Sequence, residues 1–136
     1  MEAIRISEQN VEIVRGAQAE FARGNFWVPE IFDPSVRVVW LPTWAQASET
    51  VGLDGMARVM KDWMQSWEQV TSVAERVIDA GDQVVVIAEW RGRGRSSGAF
   101  STLRYGTVWT LRDGKVTSIV THTDPAEALK VVGLEE

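Results

Sequence analysis

The pair Asp113-Gly114 stands between two runs dense in β-formers, Ala99 to Arg112 and Lys115 to Thr123, and constrains the fold more tightly than any other local signal. A two-residue turn of this kind wants positive φ at both positions and sets its flanking strands antiparallel and in register. The same logic extends upstream. Ser96-Ser97-Gly98 separates Ala99 to Arg112 from Gln83 to Arg93, and Ala80-Gly81-Asp82 precedes Val84-Val85-Val86-Ile87, so three turns line up in one long antiparallel meander. Val70, Val73, Ala74, Val77 and Ile78 keep a helical period, yet the density of Val, Thr and Ile and the turn behind them predict a strand.

Ahead of the meander the period changes. Val11, Val14, Phe21 and Ala22 predict a helix from Ser7, a good cap, to Arg23, with Gly24 at its end. A short second helix is expected to carry Phe26, Trp27, Ile31 and Phe32 until Asp33-Pro34 breaks it. Ser35 to Leu41 reads as a strand ending in Trp40 and Leu41, followed by a loop with Pro42 and a short strand near Thr50. Met56, Val59, Met60, Trp63 and Trp67 recur at three- and four-residue steps, the clearest amphipathic helix in the chain. Asp124 caps a last helix with Pro125 first and Glu127 three residues on, and Gly133 ends it. No repeat or low-complexity linker divides residues 1–136, so one α+β domain is expected, its helices on one face of a curved antiparallel sheet.

Composition narrows the function. A chain of 136 residues buries roughly two-thirds of its unfolded surface, enough for one core. With no cysteine, disulfides, thiolate metal sites and cysteine nucleophiles are excluded and the cytoplasm is the default compartment. Met1 to Asn10 carries Glu2, Arg5 and Glu8, unlike a signal peptide or a membrane span. A net charge of −5 repels polyphosphate and argues against nucleic-acid binding. Seven tryptophans accompany one tyrosine and one histidine; such residues suit pocket walls and dimer faces. Val85, Ile87 and Val108 alternate onto what would be the outer sheet face, an apolar patch that predicts a homodimer.

The order of elements, with Thr50-Val51-Gly52 leading into a helix, Arg91 to Gly98, and Leu111-Arg112-Asp113-Gly114-Lys115-Val116, resembles the SnoaL-like branch of the nuclear transport factor 2-like superfamily over nearly the whole chain. That resemblance implies a cone whose helices close over a concave sheet to leave a deep pocket, and frequent dimers. It also implies function of two classes: cofactor-free isomerases, cyclases, dehydratases and epoxide hydrolases, or non-enzymatic dimerisation and protein-interaction domains. Anchored at Pro42 and Asp113-Gly114, the family's catalytic aspartates, arginine and tyrosine fall at Trp40 or Leu41, Leu103, Thr121, Ala88, Trp90 and Ala17, none of which retains the group.

With that anchoring the pocket is lined by Trp40, Met60, Trp63, Val86, Ala88, Trp90, Leu103, Tyr105, Thr107, Ile119, Thr121 and Thr123. The ligand expected is small, apolar or aromatic, such as a polyketide- or terpene-like compound, with Tyr105 the polar group that orients it or takes part in chemistry. A slip of one residue would reverse the strands and bring Glu89, Arg91 and His122 inside. Glu89 and Arg91 then form a carboxylate–guanidinium pair, against the plainer reading of a solvated ion pair. His122 and Asp124 form an imidazole–carboxylate pair, although Asp124 already serves as a cap. No metal and no cofactor are expected.

Two apparent motifs fail on context. Gly94-Arg95-Ser96-Ser97-Gly98 spells a hydrolase elbow, but the turn leads into a strand where the elbow needs a helix. Gly92-Arg93-Gly94 starts like a dinucleotide loop with its third glycine one residue late. Arg91, Arg93, Arg95 and Arg104 read as hairpin charges that discourage edge pairing, or as a small basic patch.

Overall fold

The structure, a computed structural model, describes residues 2–40 and 49–134. In chain order these form α1 (Glu2–Ala22), a 3-10 turn (Pro29–Ile31), β1 (Phe32–Val39), β2 (Glu49–Val51), α2 (Leu53–Gln65), β3 (Trp67–Ala80), β4 (Gln83–Gly94), β5 (Phe100–Arg112), β6 (Lys115–His122) and α3 (Pro125–Val131). The three turns read from the sequence join β3 through β6. Asp113 at φ 52° and Gly114 at φ 77° both take the left-handed region, as a tight turn between twisted strands requires. The segment from Val70 to Ile78 is indeed strand, because β4 offers it a full antiparallel partner from Trp67↔Gly94 to Ala80↔Gln83.

One curved sheet in the order β2-β1-β6-β5-β4-β3 results. It is mixed rather than wholly antiparallel: β1 runs parallel to β6, from Phe32↔Val116 to Val39↔Val120. Parallel neighbours cannot be joined by a tight turn, so no local signal announces the pairing. Arg37 and Glu49 pair across β1 and β2 (Nε···Oε2 2.8 Å); that hydrogen bond raises the pKa of Arg37 and lowers that of Glu49.

Local expectations shift in four places. The first helix starts at Glu2 instead of Ser7. The expected second helix shrinks to the single 3-10 turn, and Phe32 belongs to β1. Asp33-Pro34 sits inside β1 as an irregularity, where register jumps from Phe32↔Val116 to Arg37↔Ser118. Asp33 Oδ1 accepts the Ser35 amide there at 2.8 Å, so proline, which has no amide to give to a ladder, occupies a position that needs none. Trp67, placed by periodicity on the amphipathic helix, is instead the first residue of β3. Leu41, Pro42 and Trp44 lie outside the described residues.

Strand alternation sends Val84, Val86, Ala88 and Trp90 to the concave face and Val85 and Ile87 to the convex one. On the concave side α1 crosses β3, burying Val14 and Ala17, and α2 buries Met56 and Trp63. Asn10 Nδ2 donates to the Gly81 carbonyl at 3.4 Å, tying α1 to the β3–β4 turn. α3 covers the convex side. Its Ala128 and Leu129 pack on Val85, Ile87 and Val108, which are 0%, 0% and 2% exposed. The patch that predicted a homodimer is therefore closed by the chain's own last helix, and that ground for dimerisation falls away. Asp124 Oδ1 caps α3 by accepting the Ala126 amide at 3.0 Å. Among the described residues no helix is long and apolar enough to cross a membrane.

Candidate functional site

Between the concave sheet face and the helices lies a cavity of about 80 Å³. The strands supply Val38 and Trp40 from β1 and its end, Trp90 from β4, Tyr105, Thr107 and Trp109 from β5, and Ile119 and Thr121 from β6. α1 contributes Phe21 and α2 contributes Met56, Met60 and Trp63, while Phe26 and Phe32 close the side between them. Of the residues expected from the sequence, Trp40, Met60, Trp63, Trp90, Tyr105, Thr107, Ile119 and Thr121 stand there, and the strands keep the parity on which that expectation rested. Leu103 is cross-strand partner to Trp90 but does not line the cavity; Trp67 and Trp90 pack edge-on 4.5 Å apart at 76°. Val86 and Ala88 are buried core beneath the cavity, and Thr123 lies beyond the end of β6.

Six lining residues escaped the sequence reading: Phe21, Phe26, Phe32, Val38, Met56 and Trp109. Val38 and Trp109 each stand two residues from an expected one, so strict alternation would have found them. Phe21 and Phe26 had no such signal. They stack at 5.1 Å, and Phe26 meets Trp63 edge-on at 5.1 Å, a contact made only once α1 and α2 share the concave face. Trp63 in turn lies 6.2 Å from Trp90, so the rings make one continuous aromatic wall.

The wall carries few polar atoms. Trp40 Nε1 donates to Thr50 Oγ1 at 3.0 Å, and Trp109 Nε1 donates to Thr107 Oγ1 at 2.7 Å, which satisfies two indoles at the cavity edge. Tyr105 OH and Ser72 Oγ lie 2.6 Å apart and either can donate. Burial holds the Tyr105 phenol above its usual 10.0, with the Ser72 hydrogen bond pulling the other way. The phenol is thus a neutral hydrogen-bonding group across the ordinary pH range. Among the described residues no carboxylate, imidazole or basic side chain lines the cavity, and no group of three or more His, Asp or Glu stands together to hold a metal ion.

The remaining candidates lie outside. Glu89 and Arg91 pair with each other on the convex face, where solvent reaches both. His122, half-buried opposite Gly106, likewise does not line the cavity; Asp124 is occupied as the α3 cap. The four hairpin arginines do not act as one basic patch. Arg91 pairs with Glu89, Arg93 lies over the Phe100 ring at 4.4 Å, and Arg104 pairs with Glu75 at 3.1 Å. Arg95 donates to the Gln65 and Trp67 carbonyls, both at 3.1 Å, satisfying backbone acceptors where α2 ends.

The apparent loop glycines have structural explanations. A Cβ on Gly92 would lie 2.9 Å from rings of both Trp67 and Trp90, so glycine there makes room for the indole pair. Gly94-Arg95-Ser96-Ser97-Gly98 closes a hairpin, with the Gly98 amide on the Gly94 carbonyl at 2.9 Å, and β5 follows it.

A SnoaL-like domain family model matches residues 16–119. No curated protein matches the sequence. Solved structures share the fold at low identity. A nuclear transport factor 2-like protein of unknown function from Burkholderia pseudomallei is 20% identical with a TM-score of 0.75, over 92% of this chain and 98% of its own. A protein assigned as a SnoaL-like polyketide cyclase from Jannaschia sp. is 23% identical with a TM-score of 0.72, over 95% and 94%. A protein with a ketosteroid isomerase-like fold from Catenulispora acidiphila, solved with trimethylamine, is 18% identical with a TM-score of 0.69, over 90% and 93%. The family match spans the end of α1, all of α2 and most of the sheet that builds the cavity: this chain belongs to the SnoaL-like domain family.

Proposed function

We propose that this protein binds a small molecule and encloses its apolar part between α1, α2 and the concave sheet face. The observation that carries the reading is the wall itself: aromatic and aliphatic, interrupted among the described residues by the hydroxyls of Tyr105, Thr107 and Thr121 and the ring N–H groups. An apolar site of this kind recognises shape and apolar area, while a few placed polar groups orient the ligand. The trimethylamine bound to the Catenulispora relative supports a ligand, or ligand end, of only a few atoms.

Size limits what enters. About 80 Å³ is below the roughly 150 Å³ of a dry cavity that takes benzene and far below the roughly 300–1,000 Å³ of ordinary ligand sites. A polyketide- or terpene-like compound therefore places one end here, not its whole body. As an isomerase, cyclase or dehydratase the site would depend on Tyr105 as a neutral donor to a carbonyl oxygen, because no positioned base stands among the described residues that line it. Binding is the function this geometry supports better.

Xenon is the minimal probe, being apolar and small enough for the cavity. The ring N–H resonances of Trp63 and Trp90 are expected to shift with xenon pressure, and the outward-lying Trp27 to respond little. Uniform small shifts at every tryptophan would show that the cavity takes up nothing and overturn the reading.

A further inference from the structure

A second space adjoins the first. A surface groove of about 310 Å³ is lined by Trp27, Ala57, Met60, Lys61 and Met64, and Met60 also lines the inner cavity. Helical geometry explains the double role. Met56, Met60 and Trp63 face the sheet, Ala57, Lys61 and Met64 lie about 100° around α2, and Met60 falls on the seam between the two stripes. Nearby, the Trp27 ring packs 6.4 Å from Phe32, which itself lines the inner cavity. Among the described residues Met60 is the one that both linings share, and its unbranched thioether chain is the most adaptable of apolar side chains.

Charge points the same way. Among the described residues that line the two spaces, Lys61 is the one that carries a charge. It is exposed and lines the groove. A carboxylate meets no cationic side chain among the described residues of the inner cavity, where its lost hydration would go uncompensated. A ligand that carries one has a place for it at Lys61.

We propose that the binding site continues past Met60 into this groove and takes an amphipathic carboxylate, with its apolar tail in the inner cavity, its middle displacing Met60, and its carboxylate on the Lys61 ammonium. This rests on the inner cavity being a ligand site, as proposed above. Together the two spaces reach the size of an ordinary small-molecule site.

Straight-chain alkanoates from butanoate to decanoate, with their methyl esters, test it by calorimetry on the whole chain. Affinity is expected to rise about fourfold per added methylene until tail and groove are filled. Lys61→Gln should weaken decanoate about threefold, in the range of an exposed ion pair, and leave methyl decanoate unchanged. Ala57→Phe, which fills the groove from outside, should remove most decanoate binding while the xenon response of Trp63 and Trp90 persists. Both substitutions are on the accessible side of α2, and unchanged melting verifies that the fold is kept. Equal affinity of acid and ester together with no effect of Lys61→Gln, or decanoate binding untouched by Ala57→Phe, overturns the extended site while leaving the inner cavity intact. Loss of the xenon response in the wild type overturns the binding function itself.

Discussion

Ser72 and Tyr105 bond across a strand that neither belongs to. β3 and β5 are both neighbours of β4; Ser72 pairs with Trp90 and Tyr105 with Ala88, and the two hydroxyls meet over the concave face at 2.6 Å. The small Ala88 leaves the gap that the phenol crosses. Ser72 is fully buried and Tyr105 is 7% exposed, so the bond closes the cavity floor with the polar groups satisfied by each other.

Because Tyr105 is the chain's single tyrosine, its ionisation can be followed alone by ultraviolet absorbance. Burial raises its pKa above 10.0, so the midpoint should exceed that of free tyrosine. With the folded value above the unfolded one, burial of the neutral phenol favours the fold fully below about pH 10. That contribution is lost as pH rises through the folded pKa. Tyr105→Phe should therefore flatten the alkaline fall in melting temperature. Ser72→Ala should move the midpoint still higher and cost about 1–2 kcal/mol by leaving the phenol one partner short. A midpoint at or below 10 would mean that the phenol is solvated and the cavity open.

Catalysis by the routes of the better-known relatives is not expected. With no carboxylate or imidazole among the described residues that line the cavity, turnover of a ketosteroid or of limonene epoxide should stay at trace level, since losing a positioned general base forfeits about 10²–10⁴-fold. Ligand binding should quench tryptophan fluorescence, and Trp90→Ala should remove most of that signal. Glu89→Gln and His122→Ala should leave it unchanged. Turnover of either substrate that disappears in Glu89→Gln or His122→Ala would contradict the placement of those residues outside the cavity.

Gly92→Ala should destabilise the fold by about 1–3 kcal/mol, as overpacking does. The added methyl would meet two indole rings at 2.9 Å, and those rings already pack on each other. Chemical denaturation measures the loss, and near-ultraviolet circular dichroism should show the altered indole pair. A neutral substitution would mean that the Trp67–Trp90 packing is loose.

Gly106→Ala tests the other face of the sheet. There a Cβ would lie 2.7 Å from the Ala128 Cβ and 3.2 Å from the Pro125 Cα, so α3 must lift. Destabilisation of about 1–3 kcal/mol is expected, with increased binding of a hydrophobic dye as Val85, Ile87 and Val108 are uncovered. Unchanged melting and dye binding would show that α3 does not hold this patch.

Much of the site is legible in the sequence because its strands obey period two. The register that Asp113-Gly114 sets would by itself oppose Thr107 to Val120 and Tyr105 to His122; an irregularity between Leu111↔Val116 and Thr110↔Ser118 shifts it by one residue, so that Thr107 faces Thr121 and Trp109 faces Ile119. The residues that sequence reasoning misplaces lie where a local period ends. Trp67 continues the helical stripe of Met56, Met60 and Trp63, yet the Gly94 backbone claims it for β3. Phe32 looks helical beside Ile31 until β6 pairs with it.

The meander and the Asp124 cap are written in the chain itself, because each follows from neighbours within a few residues. Other features exist only in the folded molecule. The parallel β1–β6 pair, the Phe21–Phe26–Trp63 wall, the reduction of the cavity to about 80 Å³ and the closure of the convex patch by α3 all depend on contacts between segments far apart in the chain. Local propensity carries no information about such contacts, since their energy appears only when the packed elements exclude water from one another.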